Sequence, residues 1–235
     1  MKTLAIDTST FTLSVGLADG DVIQAEHVTN VKKNHSIRVM PAIQALMNEV
    51  DVKPEELEKI IVANGPGSYT GVRIGVTVAK TLAWTLNIPI AAVSGLASLA
   101  ASAPVIDGLV CPIFDARRGQ VFTGLYRLSN GTVETVIEDR NVLVTDWCEE
   151  LLKQNETILF VGQESILHEK TIAEKMGGAA VFAGKSVPYT RPSALLALGS
   201  GLKKNPSEVV PNYTRLAEAE AKWIEANEKK AMDGD

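Results

Sequence analysis

Two acidic residues and one glycine-rich loop are the parts of this sequence best placed to do chemistry. Asp7 closes the apolar run TLAID at residues 3–7, and Asp115 closes LVCPIFD at residues 109–115. Between them lies GPGSYTGVRIG, residues 65–75, which holds four glycines and follows the apolar run 60–63. A strand, a glycine turn and a helix in that order is the setting of a phosphate loop, whose amides point at the anion. The spacing fits neither standard cradle. G-x-x-x-x-G-K-[ST] would place its second glycine at Thr70 or Val72, and no lysine follows either. G-x-G-x-x-G would place its last glycine at Thr70, one residue before Gly71. The loop therefore reads as a sharp strand-to-helix turn that could hold an anion only weakly.

Other chemistries find less support. His27, His35 and His168 have no histidine four residues away, so zincin-type spacing is absent and no metal site or cofactor is expected. There is no G-x-S-x-G, and neither Cys111 nor Cys148 stands next to a histidine. Ser68 reads as a helix cap rather than a nucleophile. The cysteines sit in apolar settings and read as reduced core thiols, which suits a cytoplasmic protein. The opening MKTLAIDTST reaches a charge too early for a signal peptide, and no later stretch is long enough to cross a membrane. With 235 residues, 46% of them hydrophobic, the chain can build one large or two small domains. Its net charge of −5 argues against gripping nucleic acid alone. The cation pairs Lys32-Lys33, Arg117-Arg118, Lys203-Lys204 and Lys229-Lys230 read as scattered surface charge.

The elements that would position these groups repeat. Strands are expected at 3–7, 12–18 and 22–28, a helix at 36–50, a strand at 60–63, a helix at 68–86, a strand at 89–93 and a helix at 95–103. The order then restarts with strands at 109–115, 120–126 and 132–137. Helices at 145–154, 165–175 and 192–203 and strands at 157–161 and 179–183 complete it. Setting Asp7 over Asp115 brings Gly16-Leu17 over Gly124-Leu125. One duplicated βββαβα unit is the economical reading. The break falls near 104–108, giving lobes of residues 1–106 and 107–216. The tail 217–231 should be helical, being rich in Ala, Glu and Lys, and could pack back on the first lobe.

A duplicated α/β unit with an Asp ending each first strand is similar to the actin-like ATPase (ASKHA) superfamily, built from two ribonuclease H-like lobes. That resemblance implies a nucleotide between the lobes, hairpin amides facing phosphate, and a strand-end Asp helping to hold metal. Three departures weaken it. Ser9 and Arg117 stand where an ATP-binding member has glycine, and Gly162-Gln163-Glu164 stands where an adenosine loop is glycine-rich. A vestigial nucleotide cleft at Asp7, Thr8, Ser9 and Asp115, with weak or absent ATP hydrolysis, is the expectation. Asp7 and Asp115 are then either catalytic carboxylates or acceptors for turn amides.

The helices offer a second kind of site. Gly71, Gly75, Ala79 and Ala83 form one stripe, and glycine inside a helix costs about 1 kcal/mol relative to alanine. Such a stripe packs closely, either on the protein's own sheet or on a neighbour. In the helix 36–50, Val39, Met40, Ile43, Leu46, Met47 and Val50 cover more than one face, and methionine suits an adaptable contact. The expected partner-binding residues are Ile37, Met40, Ile43, Met47, Gly71, Arg73, Gly75, Val76 and Ala79. They would make half of a four-helix bundle with another chain, or a homodimer in isolation.

LAIDTST, GPGSYTGVRIG, FDARRGQVF and PNYTRLAEAE, in that order, together resemble the TsaB (YeaZ) family over essentially the whole chain. The resemblance implies a non-catalytic partner of a TsaD-like subunit, acting with a TsaE-like ATPase. The reaction that the resemblance implies is threonylcarbamoyl transfer to the adenosine 3′ of the anticodon in tRNAs reading codons that begin with A. It implies tRNA contact only through the complex. The family is also labelled peptidase M22-like, but the missing metal ligands argue against proteolysis. The other classes are a small-molecule kinase, opposed by Ser9, Arg117 and Gln163, and a stand-alone metalloprotease, opposed by the histidine spacing.

Overall fold

The computed structural model describes residues 1–104, 107–186 and 189–214. The tail 217–231 lies outside the described residues. The chain order is β1 (Lys2–Asp7), β2 (Thr12–Asp19), β3 (Val22–Asn30), α1 (Val39–Glu49), β4 (Lys59–Ala63), α2 (Tyr69–Leu86), β5 (Ile90–Val93) and α3 (Gly95–Ala101). It continues with β6 (Gly108–Asp115), β7 (Gln120–Ser129), β8 (Thr132–Leu143), α4 (Val144–Leu152), β9 (Ile158–Val161), α5 (Glu169–Met176), β10 (Ala180–Phe182) and α6 (Pro192–Gly199).

These strands form two five-stranded sheets, ordered β3-β2-β1-β4-β5 and β8-β7-β6-β9-β10. In each, the first three strands pair antiparallel and the last two join in parallel. The two halves thus share one topology, and the fold is the duplicated α/β arrangement of the actin-like ATPases.

Strand alternation decides what each face packs against. Leu4, Ile6, Ile60 and Val62 point to α1 and α2, whereas Ala5, Ile61 and Ala63 point to Leu195 and Leu196 of α6. In the second sheet, Leu109, Cys111, Ile158 and Phe160 meet α4 and α5 through Trp147, Leu151 and Ile172. Its other face carries Val110 and Val161, packed on Leu96 and Leu99 of α3. So α3, from the first half of the chain, covers the second sheet, and α6 covers the first. The cross-over needs room. Gly16 of β2 has none for a side chain, because a Cβ there would collide with Pro192 at the start of α6. Lys59, wholly buried, donates from Nζ to the carbonyls of Gly199 (2.6 Å) and Ser200 (2.7 Å), capping the end of α6. Ser94, before α3, donates to Asp139 of β8, which also accepts from Tyr126.

Candidate functional site

The strand ends of both sheets open on one cleft of about 640 Å³. It is lined on one side by the β1–β2 hairpin and the glycine loop, and on the other by the β6–β7 hairpin and Glu164.

In the first hairpin, Asp7 is buried and Oδ1 accepts from the Ser9 amide (2.8 Å) and the Ser9 hydroxyl (2.7 Å). Of the two roles open to it, this is the turn acceptor. Burial raises its pKa, against the pull of the Ser9 hydrogen bonds. Ser9 itself is fully buried. The glycine loop lies directly on it: Ser68 donates its amide to the Ser9 carbonyl (2.7 Å), and a Cβ on Gly67 would collide with that same carbonyl. Gly71 packs on the Thr8 carbonyl, and Gly75 on the Thr8 side chain, whose hydroxyl donates to the Gly71 carbonyl (2.7 Å). The Thr8 and Ser9 carbonyls of this hairpin are thus covered by the chain's own loop and helix.

The loop is wedged from the other side as well. Residues 209–214 run beside it. The Asn212 amide donates to the Asn64 carbonyl (2.7 Å), and a Cβ on Gly65 would fall 2.7 Å from the Asn212 carbonyl. The Arg73 guanidinium lies over the Tyr69 ring at 3.9 Å and donates from Nε to the Tyr213 hydroxyl (2.6 Å). Ser68 caps α2 by accepting from the Gly71 amide (3.3 Å). The glycines of this loop therefore serve close backbone approach on two sides.

The second hairpin is built differently. Arg117, Arg118 and Gly119 all take positive φ (65°, 55° and 75°), and no atom lies within 4 Å of where a Gly119 Cβ would sit. Asp115 Oδ1 faces Nε2 of His168 at 3.0 Å, while the Asp115 amide donates to Glu164 at 2.6 Å. Asp7 thus accepts from its own turn, and Asp115 meets a histidine from another element. Burial raises the pKa of Glu164, with the Asp115 amide opposing. Sequence spacing had no signal for this trio, since its members meet only in the fold. Among the described residues no group of His, Cys, Asp and Glu is arranged to hold a metal.

A family model described as TsaD, tRNA N6-adenosine threonylcarbamoyltransferase, matches residues 23–223. The Bacillus subtilis tRNA threonylcarbamoyladenosine biosynthesis protein TsaB is 52% identical over 96% of this chain and 99% of its own length. The chain belongs to the TsaB family. The Escherichia coli TsaB is 31% identical over 66% of this chain and 67% of its own. Among solved structures, YeaZ from Pseudomonas aeruginosa superposes with a TM-score of 0.74 at 26% identity, covering 90% of this chain and 99% of that one. A P. aeruginosa protein described as similar to the peptidase YeaZ gives 0.77 at 26% identity, covering 91% and 99%.

Within this TsaB-family fold the residues expected to meet a partner divide sharply. Gly71, Gly75, Val76 and Ala79 are buried against the chain's own first sheet and hairpin, so the small-residue stripe faces inward. Ile43 and Met47 are also core residues. With Val39, Ala42 and Leu46 they form a single i, i+3, i+4, i+7, i+8 stripe on the sheet, so α1 is an ordinary amphipathic helix and not one with two apolar faces. Exposed are Ile37 (70%), Met40 (44%) and, on α2, Arg73 and Trp84 (74%).

Proposed function

We propose that this chain is a non-catalytic subunit of tRNA threonylcarbamoyladenosine synthesis, pairing with a TsaD-like transferase and working with a TsaE-like ATPase. The observation that carries the role is the 52% identity, across nearly the full length of both chains, to a protein named for that biosynthesis. The non-catalytic part rests on the first hairpin. Its Ser9 amide is taken by Asp7, and its Ser9 and Thr8 carbonyls lie against Gly67 and Gly71, an arrangement poorly suited to receiving a phosphate. The chain acts in the cytoplasm, and among the described residues no helix is long and apolar enough to cross a membrane.

The partner surface is the outer side of α1 and α2, centred on the exposed Ile37 and Met40, with Arg73 at its edge. Solvent-exposed isoleucine and methionine on adjoining turns make an apolar contact that costs little to desolvate. Tagged protein should capture the TsaD-like chain from its native lysate. Ile37→Asp and Met40→Asp should each lose most of that capture with unchanged circular dichroism, because an unpaired carboxylate would be desolvated in the contact. Wild-type protein that never recovers the TsaD-like chain would end this reading. Capture that survives both variants would move the surface elsewhere.

A further inference from the structure

Two of the four cation pairs that look scattered along the sequence meet at one place. Lys32 and Lys33 follow β3, Arg117 and Arg118 form the β6–β7 turn, and all four line the cleft. Asp115 and Glu164 are the carboxylates among the described lining residues, two against these four cations. Counted over that described lining the cleft carries an excess of positive charge, in a chain whose net charge is −5.

The rim also carries aromatic faces. Phe11, at the tip of the first hairpin, is 54% exposed and lines the cleft, with the Lys32 ammonium 5.6 Å from its ring centre. Tyr69 and Phe122 line it too. The turn bearing the lysines is fixed: His35 Nε2 contacts the Thr10 carbonyl at 2.7 Å, and Asn34 accepts from the Ser36 amide at 3.0 Å. Lys32 and Phe11 are thus held together by the fold. A large exposed phenylalanine beside a lysine, in an open groove with cations on both banks, is the arrangement that takes single-stranded nucleic acid. Bases stack on the ring and phosphates follow the cations. A buried mononucleotide fits less well, since the floor of the cleft is filled by Ser9 and the glycine loop.

We propose that this cleft holds a single-stranded RNA segment, stacking a base on Phe11 and passing its phosphates between Lys32-Lys33 and Arg117. The choice of RNA over DNA rests on the functional reading above; the strand geometry does not. The chain's overall acidity makes the contact weak in isolation and useful as an addition to a partner's grip.

The test is fluorescence anisotropy of a labelled, short, unstructured oligoribonucleotide against the full chain at low salt, with and without the TsaD-like partner. Saturable binding is expected. Phe11→Ala should weaken it about tenfold, and Phe11→Trp should restore it. Lys33→Ala and Arg117→Ala should each reduce the steepness of its salt dependence by about 0.7 on a log–log plot. All of these side chains are on the surface, and the variants should still capture the partner. Loss of RNA binding with partner capture intact supports the site. Partner capture lost in wild type, with RNA binding intact, would strike the functional reading and leave the site standing. Three results would overturn the proposal: no saturable binding, binding indifferent to these substitutions, or binding of AMP or ATP that the oligoribonucleotide cannot displace.

Discussion

The two hairpins after β1 and β6 occupy the same place in a duplicated topology, yet one is closed and the other open. The first is roofed by Gly67, Ser68 and Gly71, its Ser9 is fully buried, and its Asp7 is satisfied locally. The second has three consecutive residues at positive φ, presents Arg117 and Arg118 to the cleft, and sends Asp115 to a histidine from another element. The difference lies in what comes down on each turn. In the first half the strand–glycine loop–helix unit drops onto the hairpin. In the second half β9 leads through Gly162 into a short 3-10 turn at Gln163–Leu167, which brings Glu164 to the Asp115 amide and stops short of covering the arginines. Duplicated lobes thus diverge in use through the connection after the fourth strand, while the sheets stay the same.

The comparison breaks first at its glycines. Gly71→Val puts a side chain against the Thr8 backbone carbonyl, which cannot rotate away. It should destabilise the protein by about 3 kcal/mol or leave it unfolded. Gly119→Ala meets open space and costs only the left-handed backbone, about 1–2 kcal/mol. Denaturant unfolding of the pair measures the contrast. Equal losses would mean that the two turns are alike.

The carboxylates give the next largest contrast. Asp7→Ala leaves the buried Ser9 amide and hydroxyl without an acceptor and should cost about 2 kcal/mol. Asp115→Ala removes a partly exposed contact to His168 and should cost about 1 kcal/mol or less. A reversed order would place the structural role in the second lobe.

A smaller effect is in the pH dependence. Burial raises the pKa of Asp7 in the folded state. A raised carboxylate binds its proton more tightly when folded, so its contribution to stability is full below about pH 4. It is lost as pH climbs through the raised value. The gap in thermal midpoint between wild type and Asp7→Asn should therefore move in favour of wild type as the solution is acidified. A gap that moves the other way would mean that the Ser9 hydrogen bonds outweigh burial.

Much of the fold was legible because its signals are local. The central strands are apolar on both faces, Asn87 and Pro89 mark the end of α2, and Ser68 caps its helix as its position predicts. What was not legible depends on direction or on distance. The stripe Gly71, Gly75, Ala79 looks the same whether it faces a partner or its own sheet, and only the position of Thr8 decides it. Met40 and Met47 look alike in sequence and widen α1's apparent apolar cover, although one is exposed and the other is core. Asp115 and His168 are 53 residues apart, and no periodicity links them. Lys32-Lys33 and Arg117-Arg118 belong to different lobes, so their shared cleft follows from how the lobes close on α3 and α6. The close approach of residues 209–214 to the glycine loop was equally hidden, because Tyr213 meets Arg73 only after the chain has run through both sheets.

The central claim is that this chain supports transfer through its outer helices and not through the carboxylates of its cleft. Threonylcarbamoyl transfer to tRNA, reconstituted with the TsaD-like and TsaE-like chains, tests it most directly by comparing Met40→Asp with Asp115→Asn. The account predicts that Met40→Asp loses transfer in step with lost partner capture, while Asp115→Asn transfers at the wild-type rate. Transfer abolished by Asp115→Asn, in folded protein that still captures its partner, would contradict it.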